Sequence, residues 1–354
     1  MEPRDHSRLL IVDKKNKTTT DRYFYEITNY LQAGDVVVWN NSKVFKARLK
    51  AKIMLDELSD GIEKTKGDGA FSTDRFLGAS EVEIFLVRPM QNRGVWKALA
   101  KPGKKLRLGM KLYVAHDFIA EVLFKESDGT VLVQFSDDED EVREKANRYG
   151  SVPLPPYIDG EESGIQNQEL SDRYQTVYAK HVGSVAAPTA GFHFTVELVE
   201  KLRNKGVEFA EVTLHVGLGT FLPVKSEVVE EHTMHSELVE LDHTNAEIIN
   251  RAKKDGRRII AVGTTSMRAL EGIAREQSSN ILKPFKGDID IFITPGFEFQ
   301  IVDALITNFH LPKSTLLMLV SAFAQDREFM LHCYEEAIKK EYRFYSFGDA
   351  MFIN

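Results

Sequence analysis

Between residues 183 and 237 the chain gathers three islands of glycine, histidine, threonine and other small side chains. The first reads Gly183-Ser184-Val185-Ala186-Ala187-Pro188-Thr189-Ala190-Gly191-Phe192-His193-Phe194. The second is Leu214-His215-Val216-Gly217-Leu218-Gly219-Thr220-Phe221, and the third is His232-Thr233-Met234-His235-Ser236-Glu237. Side-chain-poor backbone lets a ligand approach closely, and glycine adopts φ > 0 without strain. Histidine is the side chain best suited to moving a proton near neutral pH. The combination marks the floor of an active site. His193, His215 and His235 are its candidate proton carriers, and Thr189, Gly191, Gly217, Gly219 and Thr220 line the approach.

A second element is mechanical. Ile259-Ile260-Ala261-Val262 reads as a buried strand delivering the chain into Gly263-Thr264-Thr265, which opens a helix carrying Arg268 in its first turn. Free N–H groups and the positive dipole end there suit a carboxylate or phosphate, and Arg268 can meet such an anion with two parallel hydrogen bonds. A plain strand-to-helix turn with hydroxyl caps is the competing reading. His232, His235 and Glu237 could gather a metal ion. Their spacing is not H-E-x-x-H and no third ligand stands out, so a base with an orienting carboxylate is the better reading and no metal is expected. His310, like His193 and His215, sits beside tight-turn residues where ligands meet the strand ends of a parallel sheet; each could equally be a satisfied structural histidine. Pro153-Leu154-Pro155-Pro156-Tyr157-Ile158 is a stiff extended segment, either a linker or a platform on which Tyr157 stacks a base.

These residues need a scaffold. Short apolar runs bounded by polar turns predict strands at 9–13, 35–40 and 44–51. Residues 56–79 are polar and glycine-rich, an exposed loop or insertion. Strands at 81–87, 95–100, 111–114, 118–125 and 131–135, with no helical period between them, predict a small β-barrel. Beyond Gly150 strands and helices alternate. A helix at 195–205 is followed by a strand at 208–215. Thr244-x-x-Glu247 reads as a capping box opening a helix. A strand at 257–263, a helix at 266–276, a strand at 289–294 and helices at 314–324 and 326–341 complete the series. The fold class is therefore α/β: an αβ domain with a largely parallel sheet, built from residues 1–55 and 151–354, carrying a small β-barrel domain inserted at 80–150.

The totals agree with a cytoplasmic enzyme. A length of 354 residues predicts about two domains. There is no run of about 20 apolar residues to span a bilayer, the start lacks the apolar run of a signal peptide, and the single Cys333 excludes an internal disulfide. The net charge of −7 gives no overall basic footprint for nucleic acid. Residues 1–55 nevertheless hold eleven Lys/Arg against six Asp/Glu, a local +5 that could face RNA or simply solvent. The acidic run Asp137–Glu141 reads as a solvated loop. The absence of G-x-S-x-G, Walker A and G-x-G-x-x-G patterns argues against an α/β-hydrolase, a P-loop NTPase, a standard dinucleotide enzyme and a Rossmann methyltransferase. A metal-dependent hydrolase and a non-catalytic RNA-binding protein remain as rivals.

Taken together the motifs closely resemble the S-adenosylmethionine:tRNA ribosyltransferase-isomerase family of queuosine biosynthesis. The resemblance runs through Arg4–Leu9, 34–48, 153–158, 174–179, the three islands and Gly263–Thr265. It continues in Pro295-Gly296-Phe297, in Val302-Asp303-Ala304-Leu305-Ile306-Thr307-Asn308-Phe309-His310-Leu311-Pro312, and in 342–353. The chain departs from the family pattern in starting almost at the Arg-Asp-x-Ser motif and in the length of 56–79. The resemblance implies transfer and isomerisation of the ribosyl part of S-adenosylmethionine onto 7-aminomethyl-7-deazaguanine at the tRNA wobble position, giving epoxyqueuosine, adenine and methionine. It implies no cofactor, because S-adenosylmethionine is consumed as substrate. Its expected partners are tRNA, through the anticodon loop, and S-adenosylmethionine, with no membrane and a monomeric chain. Within it the expected roles are His235 or His215 as base, oriented by Glu237, and His193 or His310 assisting the leaving purine. Asn308 is expected on the ribose hydroxyls, and Gly263, Thr264, Thr265 and Arg268 on the methionine carboxylate.

Overall fold

A computed structural model describes residues 3–54, 80–154, 172–217 and 236–354. The chain divides into two compact units, Met1–Lys43 with Asp172–Asn354, and Val44–Ser171.

The first unit is built on a nine-stranded sheet. Its central strands are Glu208–Leu214, Val36–Asn40, Ile259–Val262 and Ala304–Asn308, paired parallel in that order. Antiparallel strands flank them, with Glu237–Leu241 and Phe285–Ile289 on one side and Ala350–Ile353 on the other. Beyond Ala350–Ile353 lie Arg8–Asp13, parallel to it, and the edge strand Thr18–Tyr23. The sheet is thus parallel at its centre and mixed overall.

The central strands are apolar without alternation because both faces are covered. In Val36–Asn40, Val36 and Val38 join one core cluster while Val37 and Trp39 join the other. Ile259 and Ala261 against Ile260 and Val262 repeat the split. Against the first face packs the helix Thr264–Glu276, buried at every position from Thr264 to Ala274 except Thr265. Against the second packs Val196–Asn204, whose Leu198, Val199 and Leu202 meet Phe24, Trp39 and Phe194.

The second unit is a closed barrel in the order Val131–Phe135, Val95–Lys101, Glu81–Pro89, Arg48–Ile53, Lys111–Ala115, Phe118–Lys125. Several sequence readings change here and in the sheet, where the strand expected at 289–294 lies at Phe285–Ile289. The strand expected at 44–51 resolves into a short Ser42–Val44 and the barrel strand Arg48–Ile53, so the compact-unit boundary falls before Val44 and not at 55. The acidic run is no loop: Asp138 caps the helix Glu139–Tyr149 by accepting from the Glu141 N–H at 3.1 Å. The helix expected to open at Thr244 begins at His243, because Asp242 accepts from the Asn245 N–H at 2.8 Å.

Candidate active site

Four mutually parallel strands end on one edge of the sheet, and ligands of open αβ sheets bind at such edges. The edge carries His215 after Glu208–Leu214, Gly263–Thr265 after Ile259–Val262, and Asn308 to His310 at the end of Ala304–Asn308. The first island, folded as the turn Thr189–His193, joins it through hydrogen bonds to Asn308.

Asn308 is the hub of this junction and is 4% exposed. Its Nδ2 donates to the Tyr345 carbonyl at 3.2 Å and meets His193 Nε2 at 3.1 Å, while its Oδ1 accepts from Thr189 Oγ1 at 3.3 Å. The other ring nitrogen of His193, Nδ1, lies 2.7 Å from Ser7 Oγ. Burial pushes the His193 imidazole down to about 4; Asp349 opposes this, and Arg343 and Arg4 add to it. His193 is therefore neutral at physiological pH with both nitrogens engaged. His310 is also buried and pushed down to about 4 by desolvation. Its Nε2 lies 3.3 Å from Thr307 Oγ1 and its Nδ1 3.3 Å from the Tyr334 hydroxyl.

The second cluster surrounds the helix that starts at Thr264. Gly263 takes φ +86°, a conformation that glycine alone adopts cheaply, and has no side-chain cap. A Cβ placed there would come 3.6 Å from Ala190 Cβ, so this turn packs on the first island. Arg268 Nη1 donates to Glu237 Oε2 at 2.5 Å in a pair whose side chains are 10% and 4% exposed. Arg268 Nε reaches the Ile291 carbonyl at 3.4 Å, and the Gly217 N–H donates to Glu237 Oε1 at 3.4 Å. Arg268 Nη2 and Thr265 Oγ1 are buried without a hydrogen-bond partner among the described residues. A guanidinium edge, a hydroxyl and a free helix N-terminus are the donors a carboxylate needs. At its other end the same helix holds Glu271, 1% exposed, which accepts from the N–H groups of Gln300, Ile301 and Val302 at 2.9–3.0 Å.

Two island glycines turn out to serve packing. A Cβ on Gly191 would lie 1.9 Å from the Tyr178 hydroxyl, and one on Gly183 would lie 2.6 Å from the His215 ring. Gly191 thus makes room for an aromatic of the protein, and the His215 ring is seated over the first island. Glu237, expected to orient a histidine, forms an ion pair with Arg268. Tyr157, Gly219, Thr220, His232 and His235 lie outside the described residues. Ser7, Tyr345 and Tyr334 were not singled out from sequence; only the Arg-Asp-x-Ser pattern around Ser7 marked that segment.

An αβ unit with buried donors and histidines at its parallel strand ends, in one chain with a closed barrel, defines an enzyme of the α/β class. The chain belongs to the queuosine biosynthesis protein family, whose model matches residues 1–353. A relative from Thermotoga petrophila named S-adenosylmethionine:tRNA ribosyltransferase-isomerase is 47% identical over 354 residues, covering 100% of this chain and 94% of the relative. One of the same name from Fusobacterium nucleatum is 48% identical over 354 residues, covering 99% of this chain and 91% of the relative. The crystal structure of the Thermotoga maritima S-adenosylmethionine tRNA ribosyltransferase matches with a TM-score of 0.51 at 35% identity, covering 100% of this chain and 94% of that one. No helix among the described residues is long and apolar enough to cross a membrane.

Proposed function

We propose that the protein transfers and isomerises the ribosyl group of S-adenosylmethionine onto 7-aminomethyl-7-deazaguanine at the wobble position of tRNA, forming epoxyqueuosine and releasing adenine and methionine. The observation that carries this reading is the pairing, at one sheet edge, of an anion-binding helix start with a hydroxyl-binding amide. Arg268 Nη2 and Thr265 Oγ1 at the Gly263 turn suit the methionine carboxylate, and Asn308 with Thr189 suits the ribose hydroxyls. The names carried by the relatives supply the donor and acceptor classes.

The sulfonium acidifies the adjoining ribose carbon. A base removes a proton there, and the electron pair opens the ring with loss of adenine, which leaves protonated. The aminomethyl nitrogen then adds to the vinyl sulfonium and gives up a proton, the regenerated ylide carbon attacks the aldehyde to close a carbocycle, and the alkoxide so formed closes the epoxide by displacing methionine from the neighbouring carbon. S-adenosylmethionine is consumed and no resident cofactor takes part. His215 or His235 is the base in this scheme. Of the two histidines expected at the purine, the role falls to His310, whose ring contacts to Thr307 Oγ1 and the Tyr334 hydroxyl, 3.3 Å each, are longer than the 2.7 and 3.1 Å contacts that hold His193. The protein acts as a monomer in the cytoplasm. The test is mass analysis of nucleosides after incubation with S-adenosylmethionine and tRNA bearing the aminomethyl base. Epoxyqueuosine matched by free adenine is expected; folded protein that binds tRNA and leaves the base unchanged overturns the reading.

A further inference from the structure

Asn308 has an amide that could face either way, and what fixes it is legible in the hydrogen bonds. The Tyr345 carbonyl can only accept, so the group 3.2 Å from it is the NH2. The same NH2 lies 3.1 Å from His193 Nε2, which must then accept, so the imidazole proton sits on Nδ1 and donates to Ser7 Oγ at 2.7 Å. The amide oxygen is left pointing at the hydroxyl of half-buried Thr189, 3.3 Å away. Tyr345 holds its carbonyl in place from φ +71°, a left-handed conformation that is strained for a non-glycine residue. The direction of the whole chain, from Ser7 through His193 and Asn308 to Thr189, is thus anchored by the Tyr345 carbonyl and requires one imidazole tautomer.

We propose that Ser7 and His193 are a positioning pair that fixes the Asn308 amide with its oxygen toward Thr189, so that the site presents an acceptor and selects a ligand hydroxyl that donates. This rests on the reading of Asn308 as the ribose contact. Neither Ser7 nor His193 touches the substrate. Loss of either partner removes one of the two contacts that hold the NH2 end, leaving the Tyr345 carbonyl alone to orient the amide and loosening its oxygen from Thr189. Burial of the ring, which keeps it neutral, is what allows one nitrogen to accept.

The first readout needs no turnover. In protein labelled with 15N in its histidines, the His193 signals, identified by their loss in His193→Gln, show a neutral Nδ1–H tautomer that persists to well below pH 6. An Nε2–H tautomer overturns the proposal, whatever reaction the protein performs. The second readout is binding and turnover. Ser7→Ala raises the S-adenosylmethionine KM roughly ten-fold with a smaller change in kcat, and Ser7→Thr, which restores the hydroxyl, recovers it. His193→Gln, whose amide oxygen still accepts from Asn308, keeps KM within about three-fold, whereas His193→Phe does not. Equal effects of Gln and Phe, or a fall in kcat alone, overturn it. Failure of the wild-type protein to form epoxyqueuosine, with the Nδ1–H tautomer present, would sink the proposed reaction and leave the positioning pair standing.

Discussion

Arg268 makes two contacts at once possible. Its Nη1 is committed to Glu237 at 2.5 Å, while Nη2 is buried with no hydrogen-bond partner among the described residues. Lysine at 268 keeps the charge and the ion pair but has no second edge. A hydrogen bond to a charged group contributes about 1.5–3 kcal/mol, so Arg268→Lys should weaken S-adenosylmethionine binding roughly ten- to a hundred-fold. Alanine would confuse the result, because removing one member of a buried pair leaves the other charge uncompensated and costs about 3–5 kcal/mol of stability. The assay is calorimetric titration of the wild type and Arg268→Lys with S-adenosylmethionine and with its decarboxylated analogue. If Nη2 holds the carboxylate, the wild type discriminates strongly between the two ligands and the lysine variant hardly at all. Equal discrimination by both proteins would refute the assignment, as would a lysine variant that binds S-adenosylmethionine within two-fold of the wild type.

Other outcomes follow from the packing. Gly191→Ala places a Cβ 1.9 Å from the hydroxyl of Tyr178, which is stacked on Trp39 at 4.0 Å and cannot give way; thermal unfolding should show a loss of about 1–3 kcal/mol. Adding Tyr178→Phe recovers only part of it, since Tyr178 Cζ and Thr176 Cγ2 remain 2.7 Å away. Glu271→Leu strips the acceptor from three backbone N–H groups, at about 1–3 kcal/mol for each donor left unmade, and hydrogen exchange at Gln300, Ile301 and Val302 should accelerate. His193 and His310 are pushed down to about 4 by burial, against about 6.5 in an unfolded chain. The unfolded chain binds the protons first, so these residues add stability above about pH 6.5 that fades as the pH falls toward 4, on the order of 3 kcal/mol for each. Urea midpoints at pH 7 and pH 5 check the sign, and replacing both histidines should flatten the difference.

Much of the fold was legible because local and global preferences coincide. Thr195 and Ser314 cap helices where the sequence placed helix starts, and the strands at 118–125 and 131–135 fall where turn residues bound them. What escaped has physical reasons. Glu237–Leu241 alternates inward and outward, but its first inward residue is a glutamate, which hides the strand until Arg268 is seen opposite it. Thr18–Tyr23 is an edge strand with no fully buried side chain, so it carries no apolar signal. Glu139–Tyr149 starts with three acids, read as a charged loop although acids favour a helix start. The histidines were found by type, but their partners were not: Ser7 stands 186 residues from His193 along the chain, and no local pattern announces such a contact.

The place of Ala350–Ile353 in the sheet bears on how the molecule is made. That strand lies between Ala304–Asn308 and Arg8–Asp13, pairing Leu9 with Ala350, and Asp349 beside it accepts the Arg8 N–H at 2.9 Å. On the ribosome, Arg8–Asp13 therefore emerges long before the strand it pairs with, a wait on the order of tens of seconds at about 5–20 residues per second. During that wait the apolar Leu9-Leu10-Ile11-Val12 run has only its hairpin mate Thr18–Tyr23 for company. Ser7 meanwhile is held only from its other side, where its carbonyl accepts the Phe24 N–H at 2.8 Å. Synthesis that stops short of Ala350 thus leaves a nascent chain with an exposed sheet edge, a species for chaperones or proteases to meet.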